Sequence, residues 1–398
     1  MVGVSPGRVV EALPIRPGNE ALEALPALSR ALEGDGPALL PVAPDGENAR
    51  ELRTALGVGE PLLAHEDDTM DPTSVVIGTS GSTGVPKGVL LPNSALRASA
   101  EATEERLDGP GTWLLALPPH HVAGLQVLMR ALISGTEPCA VDVRDGFRPD
   151  AFVEAATEVF ATWGPYYTSL VPTQLARLID DPDSLRALRQ FDAILLGGAA
   201  APQRLLQRAQ DEGVPIVRTY GMSETAGGCV YDGMPLDGVR VAVEPPEPGR
   251  IHLYGPMVAR GYRYADSEAF SDFGFRTDDV GQVRDRRLEV LGRVDDMIVT
   301  GGVNVAPVQA ERPLTDHPGV REACVVGLDD PEWGQIVAAA VVVSDPSAPP
   351  DTAELREAVR SRAGAEAAPK RIVAVEELPL RGPGKVDRAA VRDLLGRQ

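Results

Sequence analysis

The run Ser74-Val-Val-Ile-Gly-Thr79-Ser-Gly-Ser-Thr-Gly-Val-Pro-Lys87-Gly88-Val-Leu-Leu-Pro92 joins two apolar segments through a stretch made almost wholly of glycine, serine and threonine. Ser74 to Thr79 and Gly88 to Pro92 read as short buried strands bounded by turn signals. Between them, glycines let backbone N–H groups approach ligand oxygens closely, and hydroxyls with a lysine complete a cradle for phosphate. The Gly-x4-Gly-Lys-Ser/Thr spacing of the common nucleotide loop is absent, and the run leads into a strand, not a helix. A glycine–serine linker would have the same composition. It would not be framed by two buried strands.

Outward from this loop the chain alternates. Residues 20–56 read as two helical stretches around the strand Ala38 to Ala43. Asn93 is expected to cap a helix running to about Arg106. Trp113 to Leu117 reads as a strand, Gly124 to Ile133 as a helix and Ala193 to Leu196 as a strand. A helix from Pro202 to about Glu212 and a strand from Pro215 to Thr219 follow. Such alternation implies a sheet with helices on its faces. From Gly249 to Leu291 the pattern changes to short strands with turns, a smaller β-rich subdomain. Beyond Arg293, strands at 320–328, 336–343 and 371–375 and helices at 353–362 and 387–395 make a separate α+β unit. At 398 residues the chain exceeds what one core usually serves, so two domains are expected, 1–293 and 294–398.

The 38 basic residues include only three lysines, Lys87, Lys370 and Lys385. Two of them lie in glycine-rich runs, the loop above and Arg381-Gly-Pro-Gly-Lys385-Val-Asp-Arg388. Lysine is a compact point charge on a flexible stem, and arginine a rigid fork, so these positions are singled out as sites that follow a moving anion. The net charge of −20 excludes a nucleic-acid or anionic-membrane surface, since both need a basic patch. Cys139, Cys229 and Cys324 are odd in number and far apart. They suit neither a metal site nor a disulfide framework, and each reads as a small buried hydrophobe. The N-terminal residues do not form a signal peptide, and no apolar run is long enough to span a membrane. A cytoplasmic protein is expected.

Further motifs follow in order. These are Ala116-Leu-Pro-Pro-His-His121-Val-Ala-Gly124, Leu195-Leu-Gly-Gly-Ala-Ala-Ala-Pro202, Tyr220-Gly-Met-Ser-Glu-Thr225 and Phe275-Arg-Thr-Asp-Asp279-Val-Gly281. Gly292-Arg-Val-Asp-Asp-Met-Ile298 and Gly301-Gly-Val-Asn304 come next. Together with the two lysine loops they resemble the adenylate-forming superfamily of acyl- and aryl-CoA ligases, luciferases and peptide-synthetase adenylation domains, over roughly residues 74–390. Within it, the short N-terminus and the segment Val217 to Gly233 most resemble the o-succinylbenzoate–CoA ligases of menaquinone biosynthesis in high-GC Gram-positive bacteria.

The resemblance implies an α/β fold: a large N-terminal adenylate-forming domain with mixed sheets and a β-rich subdomain, plus a small mobile α+β C-terminal domain. It implies an enzyme that turns a carboxylate and ATP into an acyl-AMP and pyrophosphate, then forms a CoA thioester with release of AMP. ATP and CoA are the expected co-substrates, Mg²⁺ the cofactor and an aromatic acid the substrate; a homodimer stays open. Catalytic roles fall to Lys385, Glu224 and Lys87, with Glu224 as the metal ligand. ATP-binding positions are Thr79, Ser80, Gly81, Ser82, Thr83, Gly84, Lys87, Gly198, Ala199, Tyr220, Gly221, Met222, Ser223, Thr225, Asp279 and Arg293. The acid pocket falls on His121, Val122, Gly124, Gly197 and Gly198, the hinge on Asp295 within 293–296, and the CoA side on Gly301 and Gly302. Asp278 stands where the family usually has glycine. Trp163, Tyr166 and Tyr167 are open to two readings, bordering an aromatic acid or packing in the core. A phosphotransferase would also need a glycine-rich loop with lysine, and a non-catalytic module would retain the fold. The first does not explain Lys385 with the hinge motif, and the second does not explain Lys87, Glu224, Asp279 and Lys385 occurring together; within the family, a ligase for another aryl or acyl acid, or one that loads a carrier protein, stays open.

Overall fold

A computed structural model describes residues 7–79, 86–380 and 386–397. By internal contacts the chain divides into two compact units. The first comprises Met1–Gly197, Gly213–Ala242 and His252–Arg276; the second comprises Gly198–Glu212, Val243–Ile251 and Thr277–Gln398. The architecture is mixed α/β, as the alternation predicts.

In the first unit a five-stranded sheet has the order Val10–Pro14, Ala38–Val42, Thr73–Thr79, Lys87–Pro92, Gly261–Tyr262. Its first three strands are parallel, and the hairpin Thr73–Thr79/Lys87–Pro92 and the last strand pair antiparallel. The glycine-rich run therefore connects neighbouring strands, with Thr79 paired to Lys87 across the hairpin. A second sheet of seven strands has the order Met234–Pro235, Gly227–Tyr231, Ile216–Met222, Ala193–Leu196, Tyr166–Leu170, Thr112–Leu115, Cys139–Ala140. From Ile216–Met222 onward every pair is parallel. Thr112–Leu115 and Ala193–Leu196 are buried at every position, as strands covered on both faces must be.

In the second unit the strands Val303–Val305, Ile298–Thr300, Gly334–Val343 and Val320–Asp330 form a sheet, with Arg371–Val375 beside Gly334–Val343. Side chains of the two long strands alternate between its faces. Val325, Val337 and Val341 pack with Leu314, Leu355 and Val359, whereas Val326, Ala338 and Val342 pack with Val391 and Leu395. Between residues 240 and 293 the strands are mostly short, as the sequence predicts, but Gly274–Arg284 runs to 11 residues.

Several expectations need correction. Asn93 is the first helical residue of Asn93–Arg106 and does not cap it; the cap position is Pro92. The Asn93 side chain turns away, donating from Nδ2 to the Leu32 carbonyl and accepting from Arg97 Nε at 3.0 Å. Asp71 serves the helix start instead, accepting from the Ser94 N–H at 3.0 Å and from Ser94 Oγ at 2.7 Å. The next helix begins at Val122 and not Gly124, and the strand expected to end at Thr219 continues to Met222. Residues 149–188 hold the helices Pro149–Phe160, Pro172–Asp180 and Pro182–Leu188 and the strand Tyr166–Leu170, which alternation had not resolved. Cys229 and Cys324 are buried, and burial pushes both thiols up to about 12, as befits packing groups. No helix among the described residues is long and apolar enough to cross a membrane.

One buried ion pair holds the edge of the five-stranded sheet. Arg263 Nη1 meets Glu66 Oε2 at 2.9 Å with both side chains wholly excluded from solvent. Arg263 Nε also donates to the Leu56 carbonyl at 2.6 Å, and Glu66 accepts from the backbone N–H of Leu63 and Tyr264. A buried pair is tolerable when its remaining hydrogen-bonding capacity is met in this way, but removing one partner strands the other's charge. Glu66→Ala is expected to destabilise the protein by about 3–5 kcal/mol in urea unfolding, and Glu66→Leu combined with Arg263→Met by much less.

Candidate active site

The motif Tyr220-Gly-Met-Ser-Glu-Thr225 occupies the tip of an antiparallel hairpin. Tyr220, Gly221 and Met222 end one strand, Ser223–Thr225 form a single 3-10 turn, and Gly227–Tyr231 returns beside the first strand. Thr225 is buried, with its hydroxyl accepting from the Met222 N–H at 3.0 Å and donating to the Gly227 carbonyl at 2.8 Å. Its part is to close the turn. Ala226 then adopts a left-handed conformation, φ +48°, which a residue with a Cβ takes only when its surroundings enforce it. The enforcing groups are Gln126 Nε2 and Ser99 Oγ, which donate to the Ala226 carbonyl at 2.6 and 2.9 Å. Both side chains are buried.

Gln126 lies one turn into the helix Val122–Ser134. The segment that carries His121, Val122 and Gly124 is thereby tied to the turn that carries Glu224. Gly124 is required here by a close approach, since a Cβ would fall 2.3 Å from the Pro118 carbonyl oxygen. Further along the helix, buried Arg130 lies with its guanidinium 4.9 Å from the Trp113 ring centroid and within 3.4 Å of the Tyr231 hydroxyl. The sequence held a signal for Gln126, a polar residue inside the apolar run Leu125-Gln-Val-Leu-Met129.

Glu224 accepts a hydrogen bond at Oε1 from the Tyr262 hydroxyl at 2.8 Å, and its backbone carbonyl accepts from the Ala259 N–H at 2.8 Å. Tyr262 pairs with Val89 on the strand that Lys87 begins. The Lys87 ammonium lies 4.9 Å from the Tyr262 ring centroid, within cation–π range. Two of the three expected catalytic residues, 137 positions apart in the chain, therefore meet on one aromatic side chain. Thr79 lies across the hairpin, its hydroxyl 3.4 Å from the Lys87 carbonyl. Sequence reasoning missed Tyr262, because nothing in Arg260-Gly-Tyr-Arg263 distinguishes it from a packing aromatic. Ser80, Gly81, Ser82, Thr83, Gly84 and Lys385 lie outside the described residues.

The imidazoles of His120 and His121 sit 4.5 Å apart, centroid to centroid. His121 holds the cap position of the following helix in extended conformation and is exposed, while His120 is largely buried with Nδ1 unpartnered. Tyr167 belongs to the core: it is buried against Trp113, and its hydroxyl donates to the Leu107 carbonyl at 2.6 Å. Trp163 is 96% exposed. Gly197 follows the strand Ala193–Leu196 immediately, and a Cβ there would fall 2.4 Å from Thr219 Oγ1.

In the second unit, Gly198 (φ +81°) and Ala199 precede the helix Gln203–Asp211. Asp279 faces Arg293 across an antiparallel pair, with Arg293 Nη1 3.7 Å from its carboxylate. Arg293 Nη2 lies 3.5 Å from Asp278 and 3.8 Å from Asp295. Asp278 also accepts from Arg250 at 2.6 Å, and its φ is not positive, so its backbone does not call for glycine. Asp295 is exposed, in the single 3-10 turn Val294–Asp296. Neighbouring Asp296 lies 3.5 Å from Arg388, which donates at 2.7 Å to both Glu311 and the Val325 carbonyl. Gly301 (φ +57°) and Gly302 (φ +81°) turn between two short strands. A Cβ on Gly301 would lie 3.0 Å from the Trp333 ring, over which the Lys370 ammonium sits at 3.4 Å.

Residues 20–263 match the family model described as AMP-binding enzyme, and residues 309–385 match the AMP-binding enzyme C-terminal domain. The chain belongs to the AMP-binding enzyme family. It is 46% identical to a Mycobacterium tuberculosis protein named "Probable 2-succinylbenzoate--CoA ligase", over 96% of this chain and 97% of that one. With a 2-succinylbenzoate–CoA ligase of Geobacillus kaustophilus it shares 33% identity over 82% of this chain and 70% of the relative. Among solved structures, it is similar to o-succinylbenzoate CoA synthetase from Bacillus subtilis in complex with an acyl-adenylate intermediate. That likeness has 25% identity and a TM-score of 0.74, covering 98% of this chain and 89% of the other. An amide bond synthetase from Marinactinospora thermotolerans is similar at 27% identity and TM-score 0.78, covering 98% and 90%.

For an AMP-binding enzyme the metal question is one of donor count. Among the described residues no group of three or more histidine, cysteine or carboxylate side chains is placed to hold an ion. Mg²⁺ keeps most of its waters and is commonly held by one or two carboxylates together with substrate phosphates. A half-buried Glu224, fixed at Oε1, fits that mode.

Burial, with the neighbouring His121 adding to it, pushes His120 down to about 4 from 6.5. A lowered folded-state value favours the neutral imidazole. Its contribution to stability is complete above about pH 6.5 and is lost as pH falls toward 4. His120→Asn is therefore expected to flatten the loss of stability between pH 6.5 and 4.5 by roughly 1–3 kcal/mol, read from urea midpoints. A variant with the wild-type slope would show that folding does not depress His120.

Proposed function

We propose that this AMP-binding enzyme is an ATP-dependent acid–CoA ligase acting on 2-succinylbenzoate, as in menaquinone biosynthesis. The observation that carries the reading is 46% identity, across nearly the whole of both chains, to the mycobacterial protein of that name. The meeting of Lys87 and Glu224 on Tyr262 supports it, because adenylation needs a cation and a metal-binding carboxylate close to one triphosphate. Its use of ATP and CoA supports a cytoplasmic enzyme.

A carboxylate is a poor electrophile. In the first half-reaction one of its oxygens attacks the α-phosphorus of ATP, and pyrophosphate leaves. In the second, the CoA sulfur attacks the acyl carbon, and AMP departs with the oxygen that came from the carboxylate. Negative charge gathers on the α-phosphate during adenylation, where fixed cations and donors stabilise it. Thr79, Ser80, Ser82, Thr83 and Lys87, with the backbone of Gly81 and Gly84, hold the β- and γ-phosphates and release pyrophosphate. Glu224 would hold Mg²⁺, which neutralises phosphate charge when bound. Tyr220, Gly221, Met222 and Ser223, with Gly198 and Ala199, border the adenine and α-phosphate. Asp279 accepts the ribose hydroxyls while Arg293 reaches ribose or phosphate.

His121, Val122, Gly124, Gly197 and Gly198 line the acid pocket, and Gly301 and Gly302 lie on the CoA side. Lys385 bridges the acyl carboxylate and the α-phosphate. One lysine cannot stay there while the thiol approaches the same carbonyl, so residues 294–398 act as a lid on residues 1–293. The chain bends at Asp295, and such gating acts on turnover more than on binding.

Pyrophosphate release measured across aromatic and fatty acids, with and without CoA, tests the assignment. With CoA present, 2-succinylbenzoate is expected to exceed other acids by roughly 100-fold in kcat/KM, and thioester should require CoA. Preference for another acid would overturn the substrate, and formation of ADP in place of AMP the reaction class. Lys385→Ala is expected to slow acyl-adenylate formation by about 100- to 1000-fold, while supplied acyl-adenylate and CoA still yield thioester. Lys385→Arg should not rescue it, because a planar fork does not reproduce a point contact. Equal damage to both half-reactions would contradict this role.

A further inference from the structure

We propose that Tyr262 is a positioning residue for adenylation, aligning the carboxylate of Glu224 for a divalent cation while its ring holds Lys87 in reserve. The proposal deepens the functional reading above and rests on Glu224 being the metal ligand.

A glutamate side chain has three rotatable bonds. A metal site that draws only one carboxylate from the protein is therefore weak unless something fixes that carboxylate's rotamer. Tyr262 does so with a hydroxyl that donates to Glu224 Oε1 at 2.8 Å. A hydrogen bond to an ionised acceptor is among the stronger ones, and an outer-shell donor of this kind would leave the other carboxylate oxygen for an ion.

The phenol is itself held firmly. Tyr262 is 7% exposed, and its ring stands edge-on to Phe270 with centroids 5.1 Å apart. Its backbone pairs with Val89, and the next residue is Arg263, locked to Glu66. The hydroxyl cannot drift from the turn carrying Glu224, because the Ala259 N–H binds the Glu224 carbonyl from the same segment.

The ring face has a second task. With the Lys87 ammonium 4.9 Å from its centroid, it offers a contact weak enough to be exchanged for a phosphate oxygen. It also keeps that cation beside the carboxylate's partner when no nucleotide is present. One side chain thus sets the starting positions of both charges that act on the triphosphate.

Tyr262→Phe separates these tasks, because it keeps the ring, the Phe270 contact and the Lys87 contact and removes only the hydroxyl. Mn²⁺ serves as the probe, with binding to the full-length enzyme in the presence of ATP read from the electron paramagnetic resonance of free Mn²⁺. Glu224→Gln is measured in parallel. Tyr262→Phe is expected to weaken Mn²⁺ binding about 10-fold and to raise the Mg²⁺ concentration for half-maximal pyrophosphate release similarly. Its KM for the acid, and its conversion of supplied acyl-adenylate to thioester, should stay within about two-fold of wild type. If Glu224→Gln weakens Mn²⁺ binding and Tyr262→Phe does not, Tyr262 only packs and the proposal fails while the metal assignment stands. If neither variant weakens it, the assignment of Glu224 falls and the proposal falls with it.

Discussion

The buried ion pair between Arg263 and Glu66 is the constraint from which the candidate site follows in the first unit. It lies at the edge of the five-stranded sheet, where the strand Gly261–Tyr262 is only two residues long and would be held poorly by its ladder alone. Fixing Arg263 fixes Tyr262. Fixing Tyr262 places a hydroxyl against Glu224 and an aromatic face under Lys87. A salt bridge excluded from water contributes little net stability in general. What it supplies here is a single register for a short strand, since a shift by one residue would turn Tyr262 to the opposite face.

The two units handle charge differently. In a protein of net charge −20, Lys87 rests on an aromatic ring, and among the described residues it forms no ion pair with a carboxylate, so no strong contact among them opposes nucleotide binding. The second unit gathers Arg250, Arg293, Asp278, Asp279 and Asp295 into a network in which each arginine meets at least one carboxylate. Such a cluster is suited to bind hydroxyls through its carboxylates while its arginines offset their negative charge.

Much of this was legible in the sequence, because function is written there as local runs. The glycine-rich loop between apolar strands and the isolated lysines were read from their residues, and the Tyr-Gly-Met-Ser-Glu-Thr run from its resemblance to the adenylate-forming superfamily. What stayed hidden depends on long-range contact. Asp71 serves a helix that starts 22 residues later, and Gln126 supports a turn 100 residues away. Tyr262 reaches back 175 residues to Lys87, and before the sheet order is known it is one aromatic among several. Residues 149–188 resisted for another reason: three of their elements begin at Pro149, Pro172 and Pro182, close enough together that punctuation signals merge. The lysine at position 385 was singled out by its residue type, by the glycine-rich run around it and by the resemblance to the adenylate-forming superfamily.

The central claim is that the carboxylate attacks the α-phosphorus and that its oxygen leaves with AMP. The measurement that tests it most directly uses 2-succinylbenzoate with both carboxylates labelled by ¹⁸O, turned over with ATP and CoA, followed by mass analysis of the phosphorus-containing products. The account predicts AMP carrying one ¹⁸O atom and pyrophosphate carrying none. Label in inorganic phosphate, with ADP as the nucleotide product, would mean attack at the γ-phosphorus and would contradict it.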